Sequence, residues 1–185
     1  MGSERARIFF ALWPSADVRA ALAHAGLAAQ AACGGRATAA DKIHLTLFFI
    51  GEVDRPRIAA LEQCAAVLEA RPFTLDLSLL GYWRHNHIVW AGTNACPPEL
   101  TALASTLTRN LGREGIQGED RPYVPHVTLV RNARRAPATR GLDVPPGMCA
   151  SSSWSNLPRR SAGRATRSSR ASHSREPDHA RAAVR

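Results

Sequence analysis

The chain has 185 residues, 45 % of them hydrophobic, and a formal net charge of +9. That length suits one domain with a core of its own, and no run of about 18 apolar residues marks a membrane span. The charge suggests nucleic acid at first sight, yet residues 151–185 hold eight Arg against Glu176 and Asp178, a net of +6, so the first 150 residues are only mildly basic.

Arg7 to Trp13 reads as a first strand, ended by Pro14. Its apolar run is short and no cleavage site follows, so no signal peptide is expected. Cys33, Cys64, Cys96 and Cys149 form no CxxC and are expected as reduced thiols in a cytoplasmic protein. Ser15 caps a helix from Ala16 to about Ala32, with Val18, Leu22 and Leu27 at helical spacing. Gly34-Gly35 ends it. Asp41-Lys42 leads into a strand, Ile43 to Gly51. Asp54 and Pro56 open a second helix to about Ala70, with Ile58, Leu61, Ala65 and Leu68 on one face.

Phe73 to Leu79 alternates strictly and predicts a half-exposed strand. Gly81 to Asn86 reads as a turn, and His87 to Ala91 as a short strand pairing with the one before. Pro97-Pro98-Glu99 starts a third helix to about Gly112, with a stripe of Leu100, Leu103, Leu107 and Leu111. Gly115 to Pro122 is a loop, and Tyr123 to Val130 a last strand. This order predicts an α+β fold with helices packed on a largely antiparallel sheet.

Two polar pairs interrupt apolar strands: His44 with Thr46, and His126 with Thr128. Residues two apart share a face of a strand, so each histidine stands beside its own threonine. A strand needs no such pair for stability, and the device occurs twice. Imidazole titrates near pH 6.5, so one histidine can donate a proton while the other accepts one. Two such groups flanking a phosphorus atom can deprotonate a nucleophile and protonate a leaving oxygen. Threonine hydroxyls can donate to the non-bridging oxygens. Zinc is a weaker alternative, because no Asp, Glu or Cys partner stands near the histidines in sequence. Core histidines satisfied by hydrogen bonds are the structural alternative. His85 and His87 have no matching Thr and are expected on the surface.

His44-Leu45-Thr46-Leu47-Phe48-Phe49-Ile50-Gly51 and Arg121-Pro122-Tyr123-Val124-Pro125-His126-Val127-Thr128-Leu129-Val130-Arg131 resemble the two signature segments of the two-histidine phosphoesterase superfamily. The resemblance covers about residues 5–140. It is nearest to the bacterial and archaeal RNA 2′,3′-cyclic phosphodiesterases, once described as 2′-5′ RNA ligases. It implies a bilobal fold, two antiparallel sheets around a central cleft with helices outside. It implies hydrolysis of the terminal 2′,3′-cyclic phosphate of RNA or a nucleotide to a 2′-phosphate; the histidine chemistry needs no metal, no cofactor is expected, and a monomer is expected. By position, His44 is the general acid for the leaving 3′ oxygen and His126 the general base for water. Thr46 and Thr128 grip the phosphate, and Arg131 matches a basic residue that commonly follows the second motif. Val124 departs from the basic residue common at its position. Phe9, Phe10, Phe48, Tyr82, Trp83 and Tyr123 are candidates for stacking a base.

From about Asp143 the character changes: Ser, Arg, Ala and Pro dominate without a hydrophobic period. The expected division is therefore a phosphoesterase domain over 1–142 and a tail over 143–185. One reading of the tail is a disordered basic segment that contacts RNA. The other is a shifted reading frame. Suitable codons for Ser152 to Leu157 and Gly163 to Ser169, read at one common offset, encode Val-Leu-Val-Glu-Ser and Ala-Arg-Tyr-Glu-Val-Ile. Sequencing the gene through codons 140–150 distinguishes the two. A competing function is an RNA-binding module with inert histidines and a basic tail. An inactive frameshifted product is a third reading.

Overall fold

A computed structural model describes residues 5–118 and 121–144, and the backbone of 148–149. Apart from residues 143–144 and the backbone of 148–149, the tail and the strands expected from its shifted frame lie outside the described residues. Strand β1 (Arg5–Leu12) pairs antiparallel with β3 (Leu45–Asp54) along its whole length, from Arg5↔Asp54 to Leu12↔Leu45. β5 (Leu79–Trp83) and β6 (Ile88–Gly92) form a hairpin, and β6 pairs antiparallel with β7 (His126–Arg131). The sheet order is β1-β3-β7-β6-β5, and the short β2 (Arg36–Ala37) also pairs with β7. A second sheet has two strands, β4 (Thr74–Leu75) and β8 (Met148–Cys149). The α+β, antiparallel expectation matches this architecture. Both His-x-Thr strands are neighbours in one sheet, and β3 meets β7 through the single pair Leu45↔Val127.

Helix α1 (Ala16–Cys33) begins where the Ser15 side chain accepts from the Val18 N–H at 3.5 Å. It ends at Gly34, whose φ of 72° suits glycine. Its buried stripe is Val18, Leu22, Gly26, Ala29 and Cys33. Leu27, expected in that stripe, is 58 % exposed. The helical period selects Gly26 instead. A Cβ there would meet the Leu129 carbonyl oxygen at 3.4 Å, an ordinary contact, so α1 faces the β7 backbone at close range and a larger side chain would press on it.

Helix α2 (Ile58–Ala66) follows a tight turn over Arg55–Arg57 and buries Ile58, Leu61 and Ala65. It stops short of Ala70. The helix ends at Val67, whose φ of −87° and ψ of 3° leave the helical region, and the Leu68 N–H then donates to the Ala65 carbonyl at 3.1 Å. Helix α3 (Pro98–Arg113) buries the expected stripe of Leu100, Leu103, Leu107 and Leu111.

The segment from Phe73 alternates in burial as expected, with Phe73, Leu75 and Leu77 inside. It is not one strand, however. Thr74–Leu75 pairs with β8 and Leu79–Trp83 pairs with β6, so the chain changes sheets between them. The Leu142 N–H donates to the Ser78 carbonyl at 2.9 Å, and the Leu80 N–H to the Arg140 carbonyl at 2.8 Å. Val144 is buried in the same core. The expected turn over Gly81 to Asn86 narrows to Arg84–His87, and Gly81, Tyr82 and Trp83 belong to β5. Gly81 serves packing: a Cβ there would lie 2.1 Å from the Trp90 ring.

Candidate active site

The pair Leu45↔Val127 fixes the site. Both side chains are fully buried beneath the sheet. Their sequence neighbours therefore point to the opposite face. In an antiparallel register this sets His44 across from Thr128, and Thr46 across from His126. The two histidines stand diagonally, with Cβ atoms roughly 7–8 Å apart by sheet geometry. His44, Thr46, His126 and Thr128 thus come from two distant stretches of chain onto one face.

Each imidazole is held in the same way. Nδ1 of His44 lies 2.7 Å from the Lys42 carbonyl, and Nδ1 of His126 lies 2.9 Å from the Val124 carbonyl. A carbonyl oxygen accepts and does not donate, so both Nδ1 atoms carry hydrogen. In the neutral ring this leaves Nε2, on the far side, as the nitrogen able to accept a proton. Among the described residues neither threonine hydroxyl has a hydrogen-bond partner. Tyr123 is half-buried and donates its hydroxyl to the Thr46 carbonyl at 3.0 Å. It ties the approach to the second motif onto the first, and burial pushes its phenol pKa up.

Arg131 reaches this face through a bulge. Trp90 pairs with Thr128, but Val89 pairs with Val130, which leaves Leu129 as an extra residue on β7. Strict alternation would send Arg131 to the buried side with Val127. Instead Leu129 and Val130 are both fully buried, and the exposed Arg131 emerges beside His126 and Thr128. Its charge acts on both histidines.

Aromatic rings wall the site. Phe9 stacks on His44 with centroids 4.8 Å apart, and Trp13 tilts against it at 5.6 Å. Trp83 meets His126 edge-on at 4.5 Å and Trp90 at 5.3 Å. Trp90 lies flat over Gly81 and Gly92, each of which would clash with its ring if it carried a Cβ. Among the six aromatic candidates from sequence, Phe9 and Trp83 line the site. Phe10 and Phe48 belong to the core, and Tyr82 turns to His87, with its hydroxyl 3.0 Å from Nδ1. Trp13 and Trp90 were missing from that set. The glycines flanking Trp90 in space, Gly81 and Gly92, were the available signal.

Burial is the main force on the histidines and holds both below the ordinary imidazole value. The hydrogen bond to a backbone carbonyl pulls each back up. Arg131 lowers both, and Arg121 and His44 lower His126 further. Among the described residues no three His, Cys, Asp or Glu side chains are grouped to hold a metal ion. No helix among them is long and apolar enough to cross a membrane.

A family model described as the 2′-5′ RNA ligase superfamily matches residues 14–145. The RNA 2′,3′-cyclic phosphodiesterase of Escherichia coli strain K12 is 37 % identical over 134 residues, 72 % of this chain and 76 % of that protein. A protein of the same name from Thermus thermophilus is 35 % identical over 150 residues, 76 % of this chain and 73 % of that one. The crystal structure of Escherichia coli LigT complexed with 3′-AMP has a TM-score of 0.65 and 35 % identity, over 78 % of this chain and 80 % of that one. With both motifs on one sheet and a match across most of the described fold, the chain belongs to the 2′-5′ RNA ligase superfamily.

Proposed function

We propose that this chain hydrolyses the 2′,3′-cyclic phosphate at the end of an RNA or nucleotide to a 2′-phosphate, using His44 and His126 as an acid–base pair without a metal. The observation that carries this reading is the crossed register, which sets each histidine opposite the other motif's threonine. His126 Nε2 takes a proton from water as the water oxygen bonds to phosphorus. The bond from phosphorus to the 3′ oxygen breaks, and His44 Nε2 returns a proton to that oxygen. Thr46 and Thr128 donate to the non-bridging oxygens, and Arg131 offsets the charge that builds there. The near-symmetry of the motifs leaves an exchange of the two histidine roles as the alternative within the same scheme.

Relatives named for this reaction support it, as does the donor set on the sheet. In this reading the two halves of the large sheet, β1-β3 and β5-β6-β7, are the lobes of a cleft with the histidines at its base. Purified full-length protein with adenosine 2′,3′-cyclic phosphate tests it. The expected product is the 2′-phosphate, unaffected by a chelator. His44→Ala and His126→Ala should each lower kcat by about 10²–10⁴-fold. Full activity surviving either substitution refutes the pair.

A further inference from the structure

The site carries more positive charge than one cyclic phosphate calls for. Such a phosphodiester bears a single negative charge. Three guanidinium groups from three strands lie near one another: Arg131, whose charge acts on both histidines, is within electrostatic reach of Arg36 and Arg7. Arg36 stands directly across from Arg131 in the β2–β7 pair. Like charges placed opposite on a sheet destabilise it. Among the described residues none of the three has a carboxylate within ion-pair distance. The first strand offers a contrast, because Arg5 reaches Asp54 at 3.8 Å. Arg7 has Glu52 as its cross-strand partner, yet its guanidinium lies over the Phe49 ring at 4.8 Å. Phe49 is 51 % exposed although it is a large apolar side chain. An uncompensated basic cluster beside an exposed aromatic is the surface that single-stranded nucleic acid uses, with phosphates on the cations and a base on the ring.

We propose that Arg36 and Arg7 hold a second phosphate, one nucleotide upstream of the cyclic end, so that the site selects RNA chains over free nucleoside cyclic phosphates. The cyclic phosphate closes the 3′ end of a strand, so any further phosphate of the substrate lies upstream. Arg131, between the histidines and Arg36, links the reacting phosphate to this second one. The inference rests on the phosphodiesterase reading and adds a specificity determinant to it.

The test compares kcat/KM on a four-nucleotide oligoadenylate ending in a 2′,3′-cyclic phosphate with kcat/KM on adenosine 2′,3′-cyclic phosphate. The full-length protein should favour the oligonucleotide by about tenfold or more, and Arg36→Ala should erase most of that ratio. Its salt dependence on the oligonucleotide should become shallower by about 0.7 in the log–log slope, the value for one phosphate contact on a single strand. Arg36→Lys should keep most of the preference. The melting temperature of Arg36→Ala should stay level or rise, because a like-charge pair is removed. An equal loss on both substrates, or a lower melting temperature with the ratio intact, overturns the second-phosphate assignment alone. Failure of the unaltered protein to turn over either substrate refutes the phosphodiesterase reading and this proposal with it.

Discussion

His44 and His126 each donate Nδ1–H to a carbonyl two residues upstream in their own segment, so ring and backbone move together. Burial keeps both imidazoles below their ordinary value, with the arginines acting in the same direction. On the proposed scheme the histidine that serves as general acid is therefore mostly deprotonated in the free protein at neutral pH. A bound phosphate brings negative charge to both rings and raises their pKa. The profile of kcat/KM should centre below about pH 6.5 and fall up to about tenfold per pH unit above it. The profile of kcat, set by the complex, should extend to higher pH. Coincident profiles would show that phosphate and histidines do not interact. Stability follows from the same shifts. Protons bind the unfolded histidines more tightly than the folded ones, so stability is fully present above about pH 6.5 and falls as pH drops toward the folded values. Urea titrations at pH 7 and 5.5 should show a lower midpoint at pH 5.5, and His44→Ala should reduce that difference.

At the scale of elements, one extra residue decides which face an arginine serves. The bulge at Leu129 turns Arg131 toward the histidines, and α1 packs against that bulge through Gly26. Valine at position 26 would press on the Leu129 backbone. Gly26→Val should cost about 1–3 kcal/mol in chemical denaturation. It should also lower kcat/KM, because Arg131 loses its placement. An unchanged kcat/KM at reduced stability would mean that the bulge does not depend on α1. The β5–β6 hairpin shows the same economy of space: Gly81 and Gly92 leave room for Trp90 to lie flat beneath the site. A glycine that looks like a turn residue in sequence here makes room for an aromatic ring.

At the scale of the molecule, two sequence-distant motifs are joined by one buried pair, Leu45 and Val127, and by the Tyr123 hydroxyl on Thr46. The basic residues 151–185 hold +6 of the net charge, so two functions make different predictions for their removal. Deleting them should leave turnover of adenosine 2′,3′-cyclic phosphate within about threefold, while weakening salt-sensitive binding to long RNA. Loss of RNA binding with no turnover in either form would favour a binding module with inert histidines. Local chemistry made much of the fold legible in the sequence: the Ser15 cap, the leucine stripe of α3, and the paired His-x-Thr segments. Each is written in residues a few positions apart, where helix and strand periods act directly. Leu27, the break after Leu75 and the extent of β5 were misread because burial there depends on which neighbour arrives. Arg131 was singled out by resemblance, but its face was set by a bulge that alternation cannot anticipate. Arg7, Arg36, Trp13 and Trp90 carried no motif: Trp13 meets His44, Trp90 meets Trp83, and Arg7 and Arg36 approach Arg131 only because β1, β2 and β6 pack around β3 and β7. The sequence alone determined the candidate groups and their strands, because side-chain chemistry and period are local. The tertiary structure decided which groups share a face and how much charge surrounds them, because register, bulges and like-charge proximity exist only between strands.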